Sequence, residues 1–271
     1  IVLDTSRFHN AVAAAGLMRR AFTEARSFAR RRVAFRRPIV GYPSTRAILA
    51  VMKVRSRAAL ATTFRLLDQT DRVDTGAGGG DLRAARRIGV MVNKYWTAIQ
   101  ATRTARDGIE ILGGNGTIED FSVLPRLYRD AIVIESWDGT HNTLCAQILR
   151  DFTVRRLDRP WLAQLASEVD ALPSGSMERT AANALLRDLQ GRIGRLLEAD
   201  DVTAAAWIRA VVDRMAVLTD WVALATQSAW EQSRDLAGDT PAVLELYRRL
   251  ELEPTDRMDD PERGELERRL M

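Results

Sequence analysis

Asp138 is the side chain of this sequence whose setting speaks most directly of chemistry. It stands in Glu135-Ser136-Trp137-Asp138-Gly139-Thr140-His141-Asn142, on a glycine-containing turn just before a fresh apolar helical pattern of Leu144, Ile148 and Leu149. Upstream lies a glycine-rich loop, Gly113-Gly114-Asn115-Gly116. A carboxylate held on a turn beside such a loop can act as a base next to a phosphate-bearing cofactor. The same aspartate could instead cap the helix that begins near Thr140, because Asp is a favoured N-cap. The glycines permit close backbone approach, or they simply stop a helix. Both alternatives stay open on these residues alone.

The elements that must position these residues are helical. Ala11 to Phe35 carries Val12, Leu17, Ala21, Phe22, Ala25, Phe28 and Ala29 at three- and four-residue steps, one amphipathic face. Pro38 and Gly41-Tyr42-Pro43 stop it. Ser44 is expected to cap a second helix running to about Gln69, and the glycine-rich stretch 74–80 to form a flexible loop. Asp81 then opens a third helix that ends at Gly113-Gly114, followed by shorter helices over about 121–134 and 140–153. Strand alternation is not seen. Residues Arg155 to Pro160 read as a hinge-like boundary. Beyond it, helical patterns cover about 161–171, 177–199, 202–235 and 240–251, and the charged tail 254–271 reads as frayed or as a lone amphipathic helix. The expected fold is all-α: an antiparallel helical bundle over 1–154, then a second helical unit over 155–271.

Composition narrows the function classes. The 271 residues suffice for one large or two medium domains, rich in Ala, Leu and Arg. The single cysteine, Cys145, excludes an intrachain disulfide and a Cys-based zinc site, and fits a reducing, cytoplasmic setting. With only His9 and His141, no metal site is expected. No apolar run approaches the roughly 20 residues that a membrane span needs. The chain begins at Ile1 rather than Met and without a signal peptide, and is expected to be a piece of a longer protein. Charge is divided unevenly. Residues 155–271 hold 16 basic against 22 acidic side chains, a net of −6; residues 1–154 hold 24 against 14, a net of +10. The two parts therefore serve different electrostatic tasks or partners.

Taken together, the Gly113-Gly114-Asn115-Gly116 loop, the Arg129-Asp130 pair and the Trp137-Asp138-Gly139-Thr140 turn resemble the C-terminal signature of the acyl-CoA dehydrogenase family. The resemblance covers about residues 3–153. Glu110-Ile111-Leu112-Gly113-Gly114, Leu124 to Arg129 and Trp137 look most like its alkylation-response (AidB-like) branch, which also carries a helical extension after the bundle. The family's N-terminal helical and middle β domains have no counterpart here.

The resemblance implies FAD as cofactor and an acyl-CoA or other acyl thioester as substrate. A carboxylate removes the α proton while the flavin takes a hydride from the β carbon. The base, commonly Glu in this turn, corresponds to Asp138, which is shorter by about 1.5 Å of reach. An alternative base position on the first helix corresponds to Ser6, which cannot do that work unaided. Arg32 and Phe35 match an Arg-x-x-Phe-Gly element whose Arg contacts the FAD pyrophosphate, a task suited to its bidentate fork; Arg36 replaces the Gly, and Pro43 replaces a common Gln. A solvated basic face is the plainer reading of Arg30-Arg31-Arg32. Gly113, Gly114 and Gly116 match a loop that approaches the FAD of a neighbouring subunit, so a homo-oligomer is expected. Glu110 stands where relatives have Gln, and suits a pyrophosphate only if an Arg balances it. Thr140 and Asn142 match residues that touch flavin and adenine, or serve as local caps. Arg7 matches an Arg that braces the turn. Trp137 either stacks near the flavin or fills a core. His141 reads as a surface or cap residue, and Arg129-Asp130 as a structural pair.

Two functions follow: an FAD-dependent acyl-CoA dehydrogenase passing electrons to an acceptor flavoprotein, or an AidB-like flavoprotein or oligomerisation module without dehydrogenase activity. Nucleic-acid binding, a trait of that branch, calls for a basic extension; this one is acidic. Trp207, Trp221 and Trp230 on amphipathic helices point instead to association with other copies.

Overall fold

The computed structural model describes residues 2–236, 238–254 and 257–271. Ten helices account for nearly all of it: α1 (Val2–Arg31), α2 (Pro43–Asp74), α3 (Gly80–Leu112), α4 (Leu124–Ser136), α5 (His141–Arg155), α6 (Asp158–Asp170), α7 (Met177–Glu198), α8 (Asp201–Ser233), α9 (Thr240–Tyr247) and α10 (Arg263–Arg269). The all-α expectation holds. Ala21, Ala25 and Ala29 near the end of α1 share a core with Leu49 and Met52 near the start of α2, Ile111 and Leu112 at the end of α3, and Leu124 at the start of α4. So α1 and α3 run one way, and α2 and α4 the other. The buried alanines of α1 carry no bulk beyond Cβ and let the helix axes approach closely.

Several local expectations need correction. The first helix runs from Val2, taking in Ser6, with Arg7 and Asn10 buried on the face of Ala11 and Ala14, and it ends at Arg31 rather than Phe35. Ser44 does not cap α2: Tyr42 takes the N-cap position and Pro43 the first turn, where its missing N–H has no partner to lose. Strands do occur, as a two-residue hairpin of β1 (Val33–Ala34) and β2 (Arg37–Pro38). Its turn residues Phe35 (φ 48°) and Arg36 (φ 74°) lie in the left-handed region without being Gly or Asn, so no turn signal was visible. Tyr42 compensates by donating its hydroxyl to the carbonyls of Ala34 (2.9 Å) and Phe35 (3.0 Å). The tail reading of 254–271 includes residues 255 and 256, outside the described residues. The rest is not a lone helix: Leu266 of α10 and Leu270 just after it are buried, and Lys53 on α2 donates to the Leu270 carbonyl at 2.7 Å.

The extension packs on the bundle rather than beside it. Every residue of α8 from Met215 to Ala225 is buried, as expected for a helix apolar on all sides. One core joins Ile88 and Tyr95 of α3, Leu144 and Ile148 of α5, Leu165 of α6 and Leu218 and Trp221 of α8. Trp221 is buried within the chain, its indole donating to the Glu178 carbonyl at 3.0 Å, whereas Trp207 and Trp230 remain about half exposed. The uneven charge also finds partners inside the chain. Asp239 of the extension takes Lys53 and Arg57, Glu168 takes Arg65 at 2.5 Å, and Asp213 accepts from Tyr95 at 2.6 Å.

One buried carboxyl ties four segments together. Asp220 on α8 accepts from Thr62 (2.6 Å) on α2, Trp96 (2.9 Å) on α3 and Tyr247 (3.3 Å) on α9. Burial raises its pKa to about 7, with those donors opposing the shift and nearby Glu251 adding to it. A carboxyl that holds its proton more tightly when folded than when unfolded adds stability at low pH, and loses that addition as pH rises towards 7. The slope is at most about 1.4 kcal/mol per pH unit. Thermal unfolding of wild type and Asp220→Asn should therefore show the wild type losing several degrees more than the variant between pH 5 and pH 8. Parallel melting curves across that range would disprove it.

Candidate functional site

The link between α4 and α5 is a tight reversal. Asp138 has φ 54° and Gly139 φ 109°. Asp tolerates the left-handed region better than most residues with a side chain, and Gly139 occupies a conformation that L residues rarely adopt. Asp138 does not cap α5. Thr140 takes the N-cap position, with its hydroxyl 3.0 Å from that of Thr143. The Asp138 carboxylate turns back to α1 instead: Oδ2 accepts from Ser6 Oγ and from Asn10 Nδ2, each at 2.5 Å. Ser6 and Asn10 stand one helical turn apart and share a face. The two positions that the family resemblance connects with a base are thus in direct contact. Oδ1 makes no hydrogen bond among the described residues.

Two buried cations brace this turn. Arg7 is 2% exposed and donates through Nε to the Asp138 carbonyl at 3.0 Å. Lys94 is 0% exposed and donates to the carbonyls of Gly139 (2.7 Å) and Glu135 (3.1 Å). Burial lowers the Lys94 pKa to about 8; Arg7 acts in the same direction, and Asp138 and Glu135 oppose it. Burial also lowers the pKa of Arg7 from its ordinary value. Trp137 points outward, 63% exposed, so it fills no core. His141 is half-buried rather than a surface group. It meets the Tyr95 ring edge-on at 5.2 Å, and burial shifts its pKa downward, which favours the neutral imidazole. Asn10 and Lys94 went unremarked in the sequence. Their signal was a polar side chain inside an apolar helical stretch, most plainly Lys94 within the buried run 88–95.

The other expected site residues lie elsewhere. Arg32 follows the last residue of α1, Phe35 tips the hairpin at 91% exposure, and Gly113 ends α3 with φ 63°. From Asn10 to the end of α1, or from Lys94 to Gly113 along α3, the rise is about 30 Å. Asp138, Thr140 and Asn142 therefore gather at one end of the bundle, and Arg32, Phe35, Gly113 and Gly114 at the other. Within a single chain they do not form one cleft. Arg32 makes no ion pair among the described residues, and Gly113 and Gly114 are exposed. An uncommitted guanidinium and open backbone suit an anionic group. Glu110 is balanced by Arg106 at 3.3 Å. Arg129 and Asp130 do not pair with each other; Arg129 pairs with Glu119 and Asp130 lies near Arg126.

Residues 2–153 match the acyl-CoA dehydrogenase C-terminal domain. The chain belongs to the acyl-CoA dehydrogenase family. It is 34% identical over 152 residues to acyl-CoA dehydrogenase family member 11 of Caenorhabditis elegans, a match covering 56% of this chain and 24% of that protein. It is 32% identical over 147 residues to the putative acyl-CoA dehydrogenase AidB of Escherichia coli K12, covering 54% and 26%. The match thus spans about a quarter of the length of either relative. The fold likeness reaches further. Caenorhabditis elegans ACDH-11 in complex with C11-CoA superposes with a TM-score of 0.81 at 24% identity, over 93% of this chain and 43% of that one. An acyl-CoA dehydrogenase from Bacillus anthracis complexed with FAD gives 0.78 at 15% identity, over 100% and 52%. The helical extension of this acyl-CoA dehydrogenase-family chain is therefore part of a shared fold. No helix among the described residues is long and apolar enough to cross a membrane.

The glycine loop needs glycine at two positions for different reasons: Gly113 for its left-handed φ of 63°, and Gly116 for space. A Cβ on Gly116 would lie 2.5 Å from the Ile109 carbonyl oxygen, whereas one on Gly114 would meet nothing within 4 Å. Gly116→Ala should lower stability by about 1–3 kcal/mol, and Gly114→Ala should change it by less than about 0.5 kcal/mol. Chemical denaturation of the two variants measures the contrast; equal midpoints would refute it.

Proposed function

We propose that this chain is the C-terminal portion of an FAD-dependent acyl-CoA dehydrogenase-like oxidoreductase, and that Asp138 removes the α proton of an acyl thioester. The observation that carries this reading is the Asp138 turn, a carboxylate on a backbone braced by Arg7 and Lys94, with Oδ1 uncommitted. An α proton beside a thioester is weakly acidic and leaves only to a pre-positioned base. Ser6 and Asn10 hold Oδ2 and so orient the carboxylate, while Oδ1 takes the proton. FAD, when bound, accepts the hydride from the β carbon. Arg32, Gly113 and Gly114 would hold its phosphates, and Phe35, Thr140 and Asn142 would contact its rings. Because these residues lie at opposite ends of the bundle, the reading requires a homo-oligomer in which one copy's far end completes another copy's cleft. Residues 1–154 act as the bundle that bears the site and 155–271 as its buttress, and an acceptor flavoprotein would be the electron-accepting partner of the assembled protein.

A second reading has its own observation. Asp138 is one methylene shorter than the usual base, and two donors already hold one of its oxygens. Both features suit a turn fastened to α1 in a flavoprotein that does not dehydrogenate.

Proton exchange separates the two. In the flavin-loaded protein, Asp138→Asn should abolish exchange of the α proton of a bound acyl thioester while leaving the flavin spectrum intact. Asp138→Glu should raise the rate tenfold or more, since about 1 Å of misplacement is worth ~10²-fold. Full exchange in the Asn variant would remove Asp138 as base. Absence of flavin reduction by a panel of thioesters in both wild type and the Glu variant would favour the second reading. The 271-residue chain on its own should bind FAD weakly, because it supplies only part of the cofactor's surroundings. Purification with stoichiometric yellow flavin would contradict that expectation.

A further inference from the structure

Beneath the Asp138 turn lies a charge that the proposed reaction does not use. Lys94 is fully buried in the middle of α3, and its Nζ reaches two backbone carbonyls that flank Asp138, those of Glu135 and Gly139. The Glu135 carbonyl belongs to the last turn of α4, where intrahelical donors have run out. A cation at a helix C-terminus is also favoured by the helix dipole. Between these acceptors Asp138 holds a left-handed backbone, disfavoured for any residue with a Cβ. On its other side Arg7 holds the Asp138 carbonyl.

We infer that Lys94 is the positioning residue of this turn: its ammonium, rising from α3, clamps the carbonyls before and after Asp138 and so sets the backbone that aims the carboxylate. Arg7 and Lys94 divide the work, one fixing the turn to α1 and the other to α3. No other side chain donates to the Glu135 or Gly139 carbonyl among the described residues, so an apolar residue at 94 would leave both without that donor. The charges facing the ammonium are Arg7 from α1, Glu135 from α4, Asp138 from the turn and His141 from α5. Burial and Arg7 favour the neutral amine, Asp138 and Glu135 the ammonium, and the balance places proton loss near pH 8. A neutral amine donates weaker hydrogen bonds than an ammonium. The clamp therefore slackens on the alkaline side.

Hydrogen exchange read by mass spectrometry tests this on the 271-residue chain, without flavin or thioester. The reporters are the amides of Trp137 and Leu144, bonded to the carbonyls of Val133 and Thr140 at the two edges of the turn. Lys94→Met keeps the stem and loses the donors; both amides should exchange about tenfold faster, with residues 215–225 of α8 unchanged. In wild type, their protection should fall between pH 7 and pH 9.5 after correction for the intrinsic pH dependence of exchange, and this fall should vanish in Lys94→Met. Unchanged exchange of both amides in the variant would overturn the assignment, and a flat wild-type profile would overturn its slackening with pH. If Lys94→Met does not fold, Lys94→Gln, which is uncharged and reaches less far, takes its place in the same comparison. The inference rests on the Asp138 turn being the functional element. With no reactant present, a failed base assignment and a failed clamp give separate results.

Discussion

A left-handed backbone at Asp138 and Gly139 persists only while its surroundings hold it. The conformation costs about 1–2 kcal/mol at a residue with a side chain, and the turn that contains it joins two helices of modest length. Four side chains from two other helices oppose that cost. Ser6 and Asn10 take the carboxylate, Arg7 takes the Asp138 carbonyl, and Lys94 takes the carbonyls on either side. Together they require α1 and α3 to lie side by side beneath the turn. The alanine face of α1 makes that close approach possible, and the burial of α3 on nearly every side keeps it there.

That burial depends on the extension. Lys94 and Tyr95 are neighbours in α3 but serve different partners. Lys94 supports the turn, while Tyr95 gives its hydroxyl to Asp213 of α8 and its ring edge to His141 at the start of α5. A continuous line of contacts therefore runs from α8, through Tyr95 and His141, to the turn. The extension's acidity belongs to the same design. Asp239 and Glu168 pair with Lys53, Arg57 and Arg65 of the basic half, and Asp213 accepts from Tyr95, so part of the extension's acidity is answered within the chain.

Much of this was legible beforehand. Period-3.6 patterning marked the helices, the glycines marked the end of α3, and the Trp137-Asp138-Gly139-Thr140 turn carried the family resemblance. What escaped was local and stereochemical. The hairpin at Phe35 and Arg36 uses left-handed residues that are neither Gly nor Asn, and it stands because Tyr42, six residues on, fastens it. Asn10 was missed because a buried polar residue looks like a surface residue until its partner is known.

By itself, the sequence determined what depends on short spans: helix content, helix order, the stops at glycine and proline, the acidic and basic halves, and membership of a family recognisable from a few motifs. Tertiary structure alone decided which polar side chains are buried together, since Ser6, Lys94 and Asp138 are far apart in the chain and meet only when α1, α3 and the α4–α5 turn pack. It also decided that the expected cofactor residues separate into two groups about 30 Å apart, because roughly 20 helical residues rising about 1.5 Å each lie between them along α1 and α3. Spacing along a chain reports distance only within one element; across elements, packing direction decides.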